Sequence, residues 1–317
     1  MNATVSLVGP HRGLTGNLAG QRFREGSAVL PKPQAEALAR TVNRYYGGCN
    51  VIDDRGKPLH IKDASSLPPS SAAPFDDHGE LTFICKTLLR PMMLEGCLRT
   101  LRTWFPTTPV LVADDSPDPY PEIGRQFEAD HIPFEHDIGI GHCLNHLLTL
   151  VETPYVVLIE DDFLFTEKTN CAGFIPWLRD RQFDILGGAV FKMRAQMRQT
   201  FVGDIVVDKD AKEYSLRPVE FLPIAGGPIK VDLTMNFFGA HTRTLRQLGW
   251  DEDLKVCRHE DFFIRAKRMG LKVGYHPEIE VYHDHFKPSE YRPYRGGRIP
   301  QFWEIFKQKH DGYAFTY

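Results

Sequence analysis

Thirteen residues near the middle of the chain, Thr153 to Phe165, constrain the fold more than any other stretch. The sequence Thr-Pro-Tyr-Val-Val-Leu-Ile-Glu-Asp-Asp-Phe-Leu-Phe carries an apolar run, Tyr155 to Ile159, straight into three acids, Glu160, Asp161 and Asp162. A run so rich in β-branched and aromatic side chains, opened by Pro154, predicts a strand buried on both faces. Three carboxylates at the end of such a strand repel one another and lose hydration, so they call for a cation. A hard divalent ion, held by carboxylate oxygen and by substrate phosphate, meets that demand. The stretch predicts a metal–diphosphate site at the carboxyl end of a central strand.

With 317 residues, 42% hydrophobic and 25% charged, the chain has globular composition and enough length for one large domain or two. A formal net charge of −3 exerts no global pull on nucleic acid. No apolar stretch approaches the roughly 20 residues of a membrane span, and Met1 to Leu14 lacks the basic-then-apolar pattern of a signal peptide. Six scattered cysteines without a Cys-x-x-Cys pair read as buried thiols in a reducing compartment, so the expected location is the cytoplasm.

Residues 1 to about 30 form short β-like pieces, Val5–Val8, Gln21–Phe23 and Ala28–Leu30, punctuated by glycines, which predicts a small barrel or hairpin unit. A helix follows from Gln34 to Tyr46, stopped by Gly47-Gly48. Leu67 to Gly79 is rich in Pro, Ser and Ala and has linker composition, which divides the chain into residues 1–78 and 79–317. Beyond it strands and helices alternate: Leu81–Cys85, Pro91–Trp104, Val110–Ala113, Ile123–Ala129, a weaker strand from Phe134, Cys143–Val151, then the strand at Tyr155. That alternation predicts an α/β fold with a mostly parallel sheet, whose ligands collect at the carboxyl ends of strands. Two of those ends carry acid clusters, Asp114-Asp115 and Glu160-Asp161-Asp162.

Each cluster has a plainer reading. Asp161 and Asp162 would suit a turn before a helix, but an apolar approach on both sides is more than a turn requires. Asp114-Asp115-Ser116 is good turn chemistry, yet its place one βα unit earlier favours a carboxylate accepting a hydrogen bond from a nucleobase imide. His259-Glu260-Asp261 opens a helix, where acids favour the dipole; alternatively one of them is a general base for an acceptor hydroxyl. His283 and His285 are either a surface pair or a source of neutral imidazole for a metal. The tail, with Lys287, Arg292, Arg295, Arg298, Lys307 and Lys309 among Tyr291, Tyr294, Phe302 and Trp303, is either a solvated face or a binder of diphosphate or nucleic-acid backbone.

Taken in order, these features resemble a GT-A glycosyltransferase of the family 2-like superfamily over residues 80 to 285. Ile84 to Pro91, with Lys86 and Arg90, resembles its first strand and turn. Val112 to Ser116 resembles its uridine-binding strand end, Gly139 to Asn145 the segment before the metal strand, and Ile159 to Phe163 its Asp-x-Asp-type motif. His259-Glu260-Asp261 stands where inverting members carry a Glu-Asp base motif, and Val281-Tyr282-His283 where they carry a histidine ligand. Val231 to Ala240 with Arg258 to Phe263 is similar to the β-1,4-N-acetylgalactosaminyltransferase branch. One departure is Leu144, where Arg or Lys is usual; Arg90 or a tail cation would have to replace it.

The resemblance implies a Rossmann-like GT-A domain with a small β-rich N-terminal accessory unit, a UDP-sugar donor and Mn2+ or Mg2+. It implies Asp162 and His283 as metal ligands, Asp161 on ribose or metal, and Asp114 or Asp115 on uracil. Lys86, Arg90 and Asn145 would face the nucleotide, Asp261 would be the base and Glu260 would hold the acceptor. The acceptor would be a glycan or small molecule. The glycine-rich N-terminus and basic tail make DNA bearing hydroxymethyl-pyrimidines an alternative, with a phage-encoded origin. Of another class, a sugar-nucleotide-binding module without transfer activity is the competing reading. A nucleotidyltransferase is disfavoured because Cys85 to Leu89 contains no phosphate-cradling glycine.

Overall fold

The computed structural model describes residues 2–7, 16–18, 21–45, 49–59, 73–192, 197–219, 227–284, 290–295 and 298–316. At the N-terminus, β1 (Asn2–Leu7) is followed by the hairpin β2 (Gly16–Leu18) and β3 (Gln21–Phe23), then β4 (Ser27–Pro31), helix α1 (Lys32–Tyr45) and β5 (Cys49–Asp53). Strand β1 lies between β4 and β5, antiparallel to both. Ala3, Val5 and Leu7 point from one face of β1, where Ala35, Leu38, Ala39 and Val42 of α1 cover them at helical spacing. The same apolar cluster runs on into Met92, Met93 and Leu164, so the N-terminal unit is packed against the rest of the chain.

The parallel half of the large sheet comes from β6 (Leu81–Thr87), α2 (Pro91–Trp104), β7 (Val110–Asp114), α3 (Pro121–Gln126), β8 (Asp130–Pro133), α4 (Ile140–Leu150) and β9 (Tyr155–Glu160). Strand β6 pairs in parallel with both β7 and β9, and β8 adds to β7. The second half contributes β10 (Phe163–Leu164), α5 (Ile175–Arg179), β11 (Ile185–Lys192), β12 (Met197–Arg198), β13 (Gly203–Asp208), β14 (Glu213–Pro218), β15 (Ile229–Val231) and β16 (Phe238–His241). It closes with α6 (Thr242–Leu248), α7 (Arg258–Arg268), β17 (Val273–His283), α8 (Arg292–Arg295), α9 (Ile299–Lys309) and β18 (Ala314–Thr316). The sheet order is β10-β17-β11-β16-β9-β6-β7-β8, with β12 on β11 and β15 on β17. A smaller sheet, β13-β14-β18, ties the end of the chain to the body.

Alternation within each strand divides the core between the two sheet faces. Phe83, Cys85, Val110, Val112, Val157 and Ile159 join α2 on one side. Ile84, Leu111, Ala113, Val156 and Leu158 join α4, α6, α7 and α9 on the other. Several boundaries differ from the sequence reading. The strand expected from Phe134 is β8, ending at Pro133, and the two strands expected at 271–275 and 279–282 are one, β17, with a bulge where its register against Gly188 and Ala189 shifts. The last part of the supposed linker is packed: Phe75 stacks on Trp104 with ring centroids 5.4 Å apart, and Asp77 accepts a hydrogen bond from Thr108 at 2.6 Å. Val8, residues 46–48 and 60–72, His285 and Lys287 lie outside the described residues, as do the side chains of Arg292 and Arg295. Among the described residues no disulfide joins the cysteines, and Cys85, Cys97, Cys143 and Cys171 are buried. No described helix is long and apolar enough to cross a membrane.

Candidate active site

A cleft of about 440 Å³ opens on the α4 face of the sheet, at the carboxyl ends of β6, β7 and β9. Strand parity brings three charged side chains to it. Glu160 continues the Val156–Leu158 side of β9, and Lys86, its register partner on β6, continues the Ile84 side. Asp115 likewise follows Leu111 and Ala113. All three line the cleft.

Glu160, Asp162 and His283 each present a ligand atom within 4.8 Å of the others. Pairing of Phe163 with His283 across β10 and β17 brings them together. His283 Nε2 lies 3.2 Å from Asp162 Oδ2 and 3.9 Å from Glu160 Oε2, while its Nδ1 is 2.8 Å from the Gln199 amide nitrogen. Burial opposes protonation of His283, but the Asp162 and Glu160 charges outweigh it and hold the imidazole above its ordinary value. Two carboxylates and an imidazole are a donor set for Mn2+ in particular, since Mg2+ favours oxygen alone. The carboxylate that joins Asp162 and His283 is therefore Glu160, to which the resemblance assigned no role. Asp161 is fully buried, accepting from Thr87 Oγ1 at 2.8 Å and from Arg90 Nε at 3.1 Å. Arg90 also donates to Asp162 Oδ2 at 2.8 Å and stacks on the Tyr291 ring at 4.7 Å. Arg90 and Asp161 both line the cleft, where the guanidinium is already engaged by two carboxylates.

At the other end of the cleft, Lys86 Nζ lies 2.5 Å from Asp115 Oδ1, and Gly139 N–H donates to Asp115 Oδ2 at 3.2 Å. Gly139 has φ +111°, which favours glycine, and a Cβ there would come within 3.2 Å of the Lys255 side chain. Asp114 points to the opposite sheet face, where it accepts from Ser116 N at 2.9 Å, Tyr120 N at 3.2 Å and the His131 ring at 2.9 Å. Burial raises its pKa, yet the hydrogen bonds from His131 and Ser116 prevail and hold it below the usual range. Of the two candidates for a nucleobase, only Asp115 faces the cleft.

Two more expected contacts lie elsewhere. Asn145 does not line the cleft: its amide donates to the Trp250 carbonyl and to Glu252 at 2.9 Å each and accepts from Trp250 N at 2.8 Å, fastening the turn after α6 onto α4. Asp261, expected as the base, is 1% exposed and does not line the cleft, whereas its neighbour Glu260 does. Asp261 accepts from Arg265 Nε at 2.9 Å and lies 3.0 Å from His310 Nε2. Burial alone would raise its pKa, but those two partners hold it below the ordinary value, which leaves it little appetite for a proton.

Sequence reasoning missed several lining residues. Lys255 and Arg258 bring positive charge to the cleft, where Leu144 offers none. Asn236 links Glu160 (Nδ2 to Oε1, 3.1 Å) with His259 (Oδ1 to Nδ1, 2.6 Å). Among the described tail residues it is aromatics, Tyr291, Tyr294 and Trp303, that line the cleft. Of the tail's described cations, Arg298 pairs with Asp137 at 2.5 Å, Lys307 with Glu304 at 2.8 Å, and Lys309 with Asp251 and Asp253 at 2.8 Å.

A mostly parallel sheet with an inserted antiparallel strand, flanked by helices and carrying acids at its carboxyl edge, is the GT-A glycosyltransferase fold, and this chain has it. No family model matches the chain. Its sequence is 31% identical over 208 residues to the β-1,4 N-acetylgalactosaminyltransferase 2 of Mus musculus, covering 64% of this chain and 39% of that one. It is 30% identical over 234 residues to the β-1,4 N-acetylgalactosaminyltransferase 1 of Rattus norvegicus, covering 71% and 43%. The chain thus spans about two-fifths of the length of these curated relatives. In structure it is similar to S. aureus TarS 1–349 in complex with UDP-GlcNAc (TM-score 0.52, 14% identity, 72% of this chain and 65% of that one). It is also similar to GalNAc-T7 with UDP, GalNAc and Mn2+ (TM-score 0.50, 10% identity, 74% and 55%).

Proposed function

We propose that this protein is a divalent-metal-dependent glycosyltransferase that moves a sugar from a UDP-sugar to an acceptor hydroxyl with inversion. The carrying observation is the convergence of Glu160, Asp162 and His283 beside a cleft that Glu160 and His283 line together with the Lys86–Asp115 pair and Glu260. The names of the curated relatives support N-acetylhexosaminyl transfer, and the UDP-GlcNAc and Mn2+ named with the two structures support the donor and the metal.

In this reading Glu160, Asp162 and His283 hold Mn2+ or Mg2+. Bound there, the ion supplies charge neutralisation for the departing diphosphate, so no general acid is needed. Asp115, oriented by Lys86 and Gly139, receives the uracil imide. Lys255 and Arg258 face the diphosphate in place of the cation absent at Leu144. Glu260 removes the proton from the acceptor hydroxyl as it attacks the anomeric carbon. The described strands and helix between Asn2 and Asp53 form an accessory unit that braces α2 through Met92 and Met93. The acceptor is a glycan or a small carbohydrate; the intramolecular pairing of Arg298, Lys307 and Lys309 lends no support to DNA.

The test is UDP release from a panel of UDP-sugars with Mn2+. Wild type is expected to consume at least one donor, and Asp162→Ala and Glu260→Gln to lose on the order of 10²–10⁴-fold of that rate. Release indifferent to both substitutions overturns the assignment.

A further inference from the structure

Helix α7 carries Glu260 in its first turn, immediately after Cys257, which sits in the left-handed region at φ +63°. The residue after Glu260 is locked from two directions. Arg265, one turn along α7, grips Asp261 Oδ2 and donates its other N–H groups to the carbonyls of Leu248 (2.6 Å) and Gly249 (3.0 Å) at the end of α6. His310, the first residue beyond α9, approaches Asp261 Oδ1 with Nε2 at 3.0 Å. The ring of His310 is 1% exposed, tilted over Phe306 at 4.3 Å and edge-on to Tyr214 at 5.8 Å.

The role of one ring nitrogen follows from the partner. A carboxylate only accepts, so Nε2 is the nitrogen that donates to Asp261. Nδ1 is buried without a hydrogen-bond partner among the described residues. Leaving a buried polar atom unsatisfied is unfavourable, and an apolar side chain at 310 would avoid it. The imidazole is therefore kept for what its other nitrogen does. It fastens α9, whose Trp303 lines the cleft, to the first turn of α7.

We propose that Asp261 and His310 are positioning residues: the buried pair sets the place of Glu260 in the cleft, so that the C-terminal helix belongs to the active site. This inference rests on the reading of Glu260 as the base. It assigns Asp261 a role distinct from proton transfer and gives His310 a role that its sequence context does not suggest.

The experiment compares wild type, His310→Ala, His310→Gln, Asp261→Asn and Glu260→Gln in Mn2+-dependent UDP release, with hydrogen exchange of the α7 amides measured on the same proteins. His310→Ala is expected to lower kcat about ten- to a hundredfold, the range for a misplaced catalytic group, with the donor KM little changed. Its first-turn α7 amides should exchange faster while those of β6 and β9 do not. His310→Gln, whose amide can donate to Asp261 Oδ1, should recover most of both. Asp261→Asn, which keeps an acceptor for His310, should retain activity well above Glu260→Gln. If Asp261→Asn falls as far as Glu260→Gln, Asp261 is the base and the proposal is wrong. Full kcat in His310→Ala, or no recovery in His310→Gln, also overturns it. Should wild type release no UDP, the base reading fails separately, and unchanged α7 exchange in His310→Ala removes the clamp as well.

Discussion

Lys86 and Glu160 are register partners in the parallel β6–β9 ladder, so an ammonium and a carboxylate rise side by side from one sheet face into the cleft. They do not pair with each other. Lys86 turns to Asp115, at 2.5 Å, and Glu160 turns to Asn236 and the His283 side. In the proposed reading the two strands thereby set one end of the cleft for a nucleoside and the other for a metal.

Asp115 has a fully buried side chain, and Lys86 supplies its charge partner. Lys86→Met should therefore destabilise the fold by on the order of 3 kcal/mol, because one charge is left buried alone. The double variant Lys86→Met/Asp115→Asn should recover much of that loss. Urea unfolding of the three proteins measures it, and additive losses would argue against the coupling.

Glu160→Gln should weaken Mn2+ binding, read by calorimetry or by half-activation of UDP release, on the order of ten- to a hundredfold or more. Asp161→Asn should act first on stability, because Asp161 is held by Arg90 and Thr87 rather than grouped with His283. The Asp162 and Glu160 charges favour a proton on His283, so Mn2+ must displace it and affinity should fall as pH is lowered. Equal Mn2+ affinity in Glu160→Gln and wild type would remove Glu160 from the site.

Arg90 forms ion pairs with two carboxylates while only 8% exposed. Arg90→Met should cost about 3–5 kcal/mol, as expected when a buried charge network loses its cation. Arg90→Lys should restore only part, since an ammonium cannot reproduce the fork that meets Asp161 and Asp162 together. The measure is the unfolding midpoint; a Lys variant as stable as wild type would contradict the bidentate geometry.

Acid should loosen the α6–α7–α9 junction. The folded pKa of Asp261 lies below the ordinary 3.8: burial pushes it up, but His310 and Arg265 pull it down further. The stabilisation is present above the unfolded value and is lost as pH falls from there through the folded one. Asp261→Asn should therefore be less stable than wild type at pH 7, with the gap closing as pH falls from the ordinary carboxylate value through the lowered folded one. A gap that stays constant down the acid limb would deny Asp261 its lowered pKa.

The sequence determined the βα alternation, the burial of Tyr155 to Ile159, the two acid-bearing strand ends and the helix that opens at Arg258. These features follow from strand and helix periods and from turn chemistry, which act over a few residues. Tertiary structure decided which acid of each cluster serves. Asp114 and Asp115 are neighbours in the chain, as are Glu260 and Asp261, yet one of each pair faces the cleft and the other is absorbed by His131 or by His310. Those partners lie 17 and 49 residues away, and the Arg90–Asp162 contact spans 72. A carboxylate's protonation and role depend on what surrounds it in space. Strand parity settles the face for Glu160, but no local pattern brings His283, Gln199 and Asn236 to its side.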